Sequence, residues 1–129
     1  MRFRFAALLG SAALALGLVS LAPVRAQDAD AGKTTFKMKC GICHNLTPGA
    51  HGLGPSLLGV VGSKAGTNDA NFNYSDAMKN SGKTWDAATL DSYLTNPRAL
   101  IPGIKMAFPG LPQASDRANV IAFLTTLKK

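Results

Sequence analysis

Between Asn45 and Asn73 the chain carries six glycines, Gly49, Gly52, Gly54, Gly59, Gly62 and Gly66, together with Pro48 and Pro55, and its apolar residues keep no sustained period. Such a stretch reads as ordered loop. It is longer than a compact domain tolerates without a functional reason or a prosthetic group to wrap around. Helices are predicted on either side. Gly32, Phe36 and Cys40 stand four apart on one face, with Asp28 and Asp30 near the positive helix start and Lys37 and Lys39 near its end. Ser75 to Asn80 suits a short helix stopped near Gly82. Thr84 is expected to cap a longer one running through Leu90, Tyr93 and Leu94 to Asn96, ended by Pro97. After breaks at Pro102-Gly103 and around Pro109, Gly110 and Pro112, Ser115 is expected to cap the last helix, with Asp116 in its first turn. Val120, Ile121, Phe123, Leu124 and Leu127 form its apolar face, and Lys128 and Lys129 suit its negative end. With no strand pattern, the chain reads as all-α, three main helices plus short ones and much glycine-rich loop.

The 129 residues allow one small domain. Arg2 and Arg4 precede an uncharged, Ala- and Leu-rich stretch from Ala6 to Ala22, followed by Pro23-Val24-Arg25-Ala26. This is the charged start, apolar middle and small-residue cleavage site of a secretory signal. The apolar stretch is at the short edge of the roughly 17–25 residues that span a bilayer, so removal after Ala26 is expected, with no stable membrane insertion after it; the alternative is retention as an anchor. Residues 1–26 are then a signal peptide and 27–129 the domain, 129 less 26 leaving 103 residues. Losing Arg2, Arg4 and Arg25 from 14 basic residues leaves 11 against 7 acidic ones, a formal charge of +4. A domain this small buries only about 60–65% of its unfolded surface, which again asks for something to fill the middle.

The seven acids are all aspartate, so a multi-carboxylate metal or glycosidase site is hard to build. Only His44 and His51 supply imidazole, and the only cysteines, Cys40 and Cys43, are three apart. A disulfide between them closes almost no loop and cannot staple the fold. Cys40-Gly41-Ile42-Cys43-His44 is instead a C-x-x-C-H sequence, the attachment signature of a c-type haem. Two thiols one helical turn apart can reach both vinyl groups on one edge of a porphyrin, and the adjacent imidazole then ligates the iron. A thioredoxin-like pair needs a βαβ context and an exposed thiolate at a helix start, whereas here the pair ends a helix. A zinc site needs a fourth ligand that only His51 is left to offer. Export fits haem attachment, since a bare thiol pair outside the cytoplasm oxidises.

For the second axial position, His51 lies too near His44 to cross the porphyrin plane easily, and a loop-fixing hydrogen bond is expected of it. Met38 and Met78 are candidates in principle, but Met38 is two residues from Cys40, on the wrong side. Met106 remains, in Ile101-Pro102-Gly103-Ile104-Lys105-Met106-Ala107-Phe108-Pro109, a segment that prolines and glycine hold as a fixed loop; the alternative for it is core filling.

From Gly32 to Lys128 the chain resembles the small soluble class I cytochromes c, specifically the mitochondrial-like bacterial type. The similar stretches are Gly32-x-x-x-Phe36, the haem motif, Gly54-Pro55, Phe72-Asn73-Tyr74-Ser75-Asp76-Ala77, Thr84-Trp85, Tyr93-Leu94-x-Asn96-Pro97, Ile101 to Met106, and Val120-Ile121-Ala122-Phe123-Leu124. The resemblance implies the cytochrome c fold around one haem c, covalent through Cys40 and Cys43 and held between His44 and Met106. It implies terminal helices crossing where Gly32 lets Phe123 approach Phe36. It also implies that the Pro55 carbonyl accepts from the His44 ring, that Tyr74 and Trp85 reach the haem propionates, and that Tyr93 lies near the Met106 sulfur. Ser63 stands where the family commonly has arginine, Ile104 where threonine is usual and Met78 where asparagine often sits, each removing a polar contact near the haem.

The expected function is a periplasmic, monomeric single-haem electron carrier rather than an enzyme, shuttling one electron between larger redox proteins of a respiratory or photosynthetic chain. The alternative is a haem c enzyme or gas sensor, peroxidase-like, with an open iron face. Lys37 and Lys39 beside Cys40, and Lys105 beside Met106, suit partners with acidic docking patches: a membrane cytochrome complex as donor, an oxidase or reaction centre as acceptor. Nucleic acid is disfavoured, because no aromatic-rich basic surface accompanies the other lysines.

Overall fold

The computed structural model describes residues 27–129, so the signal segment expected over residues 1–26 lies outside the described residues. Five helices follow one another: α1 (Ala29–Lys39), α2 (Asp76–Lys79), α3 (Ala87–Thr95), α4 (Pro97–Leu100) and α5 (Ala114–Thr126). Among the described residues the only β pairing is an isolated antiparallel bridge between Lys64 and Thr84.

Asp28 starts α1 by accepting from the Asp30 and Ala31 N–H groups. The helix then packs on α5, the two terminal helices making the main interhelical contact. A Cβ at Gly32 would overlap the Asn119 backbone carbonyl, so only glycine permits this approach. One turn on, Phe36 meets Phe123 with ring centroids 5.4 Å apart, both buried. The Asp28 N–H donates to Asn119 Oδ1 at 2.9 Å and pins the crossing at its other end. Helix α3 packs on both α4 and α5.

Two helix starts differ from the sequence expectation. Asp86, not Thr84, caps α3: its Oδ1 accepts from Thr89 N–H at 2.7 Å. Thr84 and Trp85 are held extended against Gly62 and Ser63, Trp85 N–H donating to the Ser63 carbonyl and Gly62 N–H to that of Trp85. As expected, α3 stops at its C-cap Asn96 before Pro97, which also opens α4 at the first helical position, where its missing N–H costs nothing, and Asn96 caps that helix by accepting from Ala99 N–H. Helix α5 starts one residue before Ser115, with Gln113 at the cap and no side-chain cap bond. Its entry is fixed by Arg117, whose guanidinium donates to the Leu111 and Pro112 carbonyls and to Asp91 Oδ1 on α3.

The segment from 45 to 73 is loop, as its composition requires, and is tied down by its own polar groups. Leu57 N–H donates to the Asn45 carbonyl, and Asn68 Nδ2 to those of Ser56 and Leu58. Buried Asp69 accepts from Ser56 N–H at 3.0 Å. Gly66, at φ +79°, lies so close to the Lys79 backbone that no Cβ would fit. Together the loops and helices enclose a cavity.

Candidate functional site

Past Lys39 the chain keeps turning: Cys43 and His44 N–H both donate to the Cys40 carbonyl, at 3.1 and 2.9 Å. That turn brings Cys40, Cys43 and His44 to the wall of a cavity of about 630 Å³. His44 Nδ1 stands 2.8 Å from the Pro55 carbonyl. A carbonyl only accepts, so Nδ1 carries the hydrogen and Nε2 keeps a free lone pair, the state an iron ligand needs. Burial lowers the His44 pKa, opposed in part by the Pro55 bond, which favours the neutral ring. A Cβ on Gly54 would lie 2.5 Å from His44 Cε1, so the residue before Pro55 must be glycine for the ring to lie where it does.

Met106 comes from the loop between α4 and α5. Ile101 N–H donates to the Pro97 carbonyl and Leu111 N–H to that of Leu94, which closes both ends of the loop onto α3 and α4. Lys105 Nζ donates to the Asn73 carbonyl at 3.0 Å. Met106 is half-buried and lines the same cavity as His44. Trp85 and Tyr93 are buried and tilted against each other, with ring centroids 4.7 Å apart. Burial pushes the Tyr93 hydroxyl up to about 12. The Tyr74 hydroxyl accepts from Asp69 N–H at 3.0 Å and keeps its own hydrogen to donate. All eight residues named from the sequence, Cys40, Cys43, His44, Pro55, Tyr74, Trp85, Tyr93 and Met106, line this one cavity.

Other wall residues were not named as site residues from the sequence, because each is an ordinary apolar side chain: Leu57, Phe72, Leu94 and Phe108 are examples. Met78 and Ile104 also face the cavity, so two positions where the resemblance expects polar side chains are apolar here. Ser63 does not line the cavity, and its hydroxyl is committed to the Val60 carbonyl at 2.6 Å. The hydrogen bond expected of His51 is absent. Its Nδ1 lies 3.7 Å from Asp69 Oδ2, beyond hydrogen-bond reach, and its ring packs edge-on to Phe72, so it holds the loop by packing.

The residues fit a haem c. The cavity has the size of a cofactor pocket, its wall is mostly apolar, and two free, half-buried thiols stand beside a neutral imidazole. Asn68 Oδ1 is the one buried side-chain polar atom without a hydrogen-bond partner among the described residues, and Asn68 is a wall residue. The rival chemistries do not fit. Burial and the neighbouring Cys43 push the Cys40 thiol up to about 11, the opposite of an activated dithiol. No group of three or more His, Cys or Asp side chains among the described residues is arranged to hold a metal ion.

An all-α fold closed around a pocket with a C-x-x-C-H wall defines a c-type haem protein. The comparisons agree. The family model for cytochrome c matches residues 29–128, and the chain belongs to the cytochrome c family. It is 60% identical over 96 residues to a cytochrome c2 of Rhodomicrobium vannielii, covering 74% of this chain and 75% of that one. It is 53% identical over 104 residues to a cytochrome c2 of Rhodoblastus acidophilus, covering 80% and 95%. Among solved structures, cytochrome cH from Methylobacterium extorquens superposes with a TM-score of 0.73 at 44% identity, over 77% of this chain and 98% of that one. The chain is a single-haem electron carrier, its haem bound covalently through the Cys40 and Cys43 thiols.

Proposed function

We propose that residues 27–129, freed from an export signal at 1–26, shuttle single electrons in the periplasm between larger redox proteins, with His44 and Met106 as the axial ligands and no substrate chemistry. The convergence of all eight sequence-named residues on one cavity supports this reading. The haem, when bound, supplies a one-electron change at its iron. The chain supplies the rest. Pro55 holds the His44 tautomer, and a soft Met106 sulfur favours the reduced metal relative to a second imidazole. Tyr74 keeps a hydrogen to give a propionate, and Trp85 and Tyr93 pack the wall between. His44 and Met106 would both hold the haem, so the chain would leave it no open place for a substrate.

Exposed Lys39 and Lys105 line the cavity mouth, and exposed Lys37 lies on the last turn of α1 beside it. These charges suit partners whose redox centres are ringed by carboxylates, a membrane cytochrome complex on one side and an oxidase or reaction centre on the other. Among the described residues no helix is long and apolar enough to cross a membrane. The testing experiment is a reduced-minus-oxidised spectrum with a redox titration. One reversible one-electron step and a weak band at the red end of the oxidised spectrum, from Met sulfur to ferric iron, are expected. A spectrum without that band, from an iron that takes up added cyanide or carbon monoxide readily, means an open face and a haem enzyme or sensor.

A further inference from the structure

Asp69 is the only buried charged side chain among the described residues, and the site described above makes no use of it. Its carboxyl accepts at both oxygens, from Ser56 N–H at 3.0 Å and from Asn71 N–H at 3.2 Å, which is the bonding of the ionised form. The charge sits one residue behind the cavity. Asp69 and His51 do not line that cavity, but Ser56, Asn68, Phe72 and Tyr74 beside them do. Asp69 N–H donates to the Tyr74 hydroxyl at 3.0 Å. Burial chiefly, with the Asp69 charge adding to it, raises that hydroxyl above its ordinary value, while the bond itself lowers it. The charge is therefore felt at the wall. No lysine or arginine forms a salt bridge with Asp69 among the described residues. Its basic neighbour is His51, whose Nδ1 stands 3.7 Å from Oδ2, with a side chain 38% exposed against 2% for Asp69. Phe72 packs edge-on to the rings of both His51 and Tyr74, at 5.5 and 5.0 Å. The remaining charge near by is exposed Lys129, bonded through Nζ to the Asn68 carbonyl.

We propose that Asp69 and His51 form a redox-linked charge pair: the Asp69 carboxylate favours the oxidised state of the bound haem, and a proton that His51 takes from solvent offsets it on reduction. The inference rests on the electron-carrier reading and adds a proton to it. Reduction brings one electron, hence one negative charge, to a pocket that already has a fixed anion behind its wall, so the protein's affinity for a compensating proton rises. His51 is placed to hold that proton, because its ring reaches water on one side and faces Asp69 Oδ2 on the other. Histidine is also the side chain whose ordinary range lets it change charge near neutral pH. The balance is one electron and a fraction of a proton in, the proton returning to solvent when the electron leaves. Protonated His51 favours the reduced state, so the potential falls as pH rises through the histidine range. Because Asp69 is buried, salt screens this effect far less than it screens the surface lysines.

The test is a spectroelectrochemical titration of the haem-loaded protein at about pH 5 and about pH 9, on either side of the histidine range, with small mediators and no protein partner. At one applied potential the ferrous-to-ferric ratio of the parent is expected to be roughly threefold to tenfold higher at the acid pH, and to stay so at about 1 M salt. His51→Gln should keep the alkaline ratio and lose the acid rise. His51→Arg, a cation at both pH values, should hold the high ratio at both. Asp69→Asn should raise the alkaline ratio by a similar factor; if it does not fold, the two His51 variants carry the test. A carboxylate that only structures its loop would lower the melting midpoint of Asp69→Asn and leave the ratio alone, which overturns the proposal. A pH difference that persists in His51→Gln assigns the proton to another group and overturns it as well. No reversible one-electron step in the parent overturns the carrier reading itself, and this one with it.

Discussion

Gly54 stands where a methyl group would press into the His44 ring, and Pro55 beside it holds the ring's Nδ1 hydrogen. Gly54→Ala is therefore expected to leave both cysteines able to form thioethers but to tilt the imidazole and weaken its hold on the iron. The reading is a ferrous spectrum with a high-spin fraction that the parent lacks; an unchanged spectrum would show that the ring has room. Met106→Ala should keep the haem attached and open the iron to cyanide, azide or carbon monoxide. Met78 shares the cavity, so the pairing with Met78→Leu matters. A Met106→Ala protein that keeps its potential and still excludes those ligands shows that Met106 is not the ligand, and loss of that closure in the double variant would assign the role to Met78. At this scale the sequence was informative where chemistry is rare. Two cysteines, two histidines and a methionine in a proline-framed loop have few alternative uses, whereas Leu57, Phe72 and Phe108 are indistinguishable in sequence from any other core residue.

The crossing of α1 on α5 rests on Gly32, Phe36 and Phe123, and Phe123 is 7% exposed. Phe123→Ala should cost about 3–5 kcal/mol, much of what a domain of this size possesses. A melting midpoint unchanged within error would mean that the ring contributes no packing. The cap of α3 gives a pH test. The Thr89 N–H holds the Asp86 carboxyl below the usual carboxylate range. A depressed folded pKa means stability present above the ordinary carboxylate range and lost as pH falls through the folded value. Asp86→Asn should therefore reduce the acid-side loss of stability while keeping a cap at neutral pH, read from denaturant midpoints on either side of that range. The existence and order of the helices were legible from apolar spacing, but the starts of α3 and α5 were not. Thr84 and Ser115 have cap chemistry, yet Thr84 is drawn into pairing with Lys64, and Arg117 seats α5 without Ser115. Both outcomes depend on partners distant in sequence, which local patterning cannot weigh.

For the whole molecule, the mouth lysines predict how salt acts on function. Changing Lys39 and Lys105 together to Glu should slow exchange with a physiological partner at low salt and flatten its salt dependence, because the screening length is only about 10 Å at 0.1 M. Lys129→Glu should do much less, since Lys129 lies along Gly59 with its Nζ on the Asn68 carbonyl at 2.5 Å, outside the mouth. Stopped-flow rates with equal losses for both variants would remove the docking face while leaving the haem site intact. The cavity as a whole was anticipated only as a need, since a glycine-rich loop that long requires something to surround; its walls come from segments that sequence separation keeps apart. The same separation governs the terminal clasp. Asp28 and Asn119 meet across 91 positions, so the contact that seats α1 cannot form until nearly the whole chain is present. Closing so long a loop is a late and slow event in folding. In a chain delivered N-terminus first, that clasp therefore closes only after the haem motif has emerged, so α1 packs on α5 later than Cys40 and Cys43 become available.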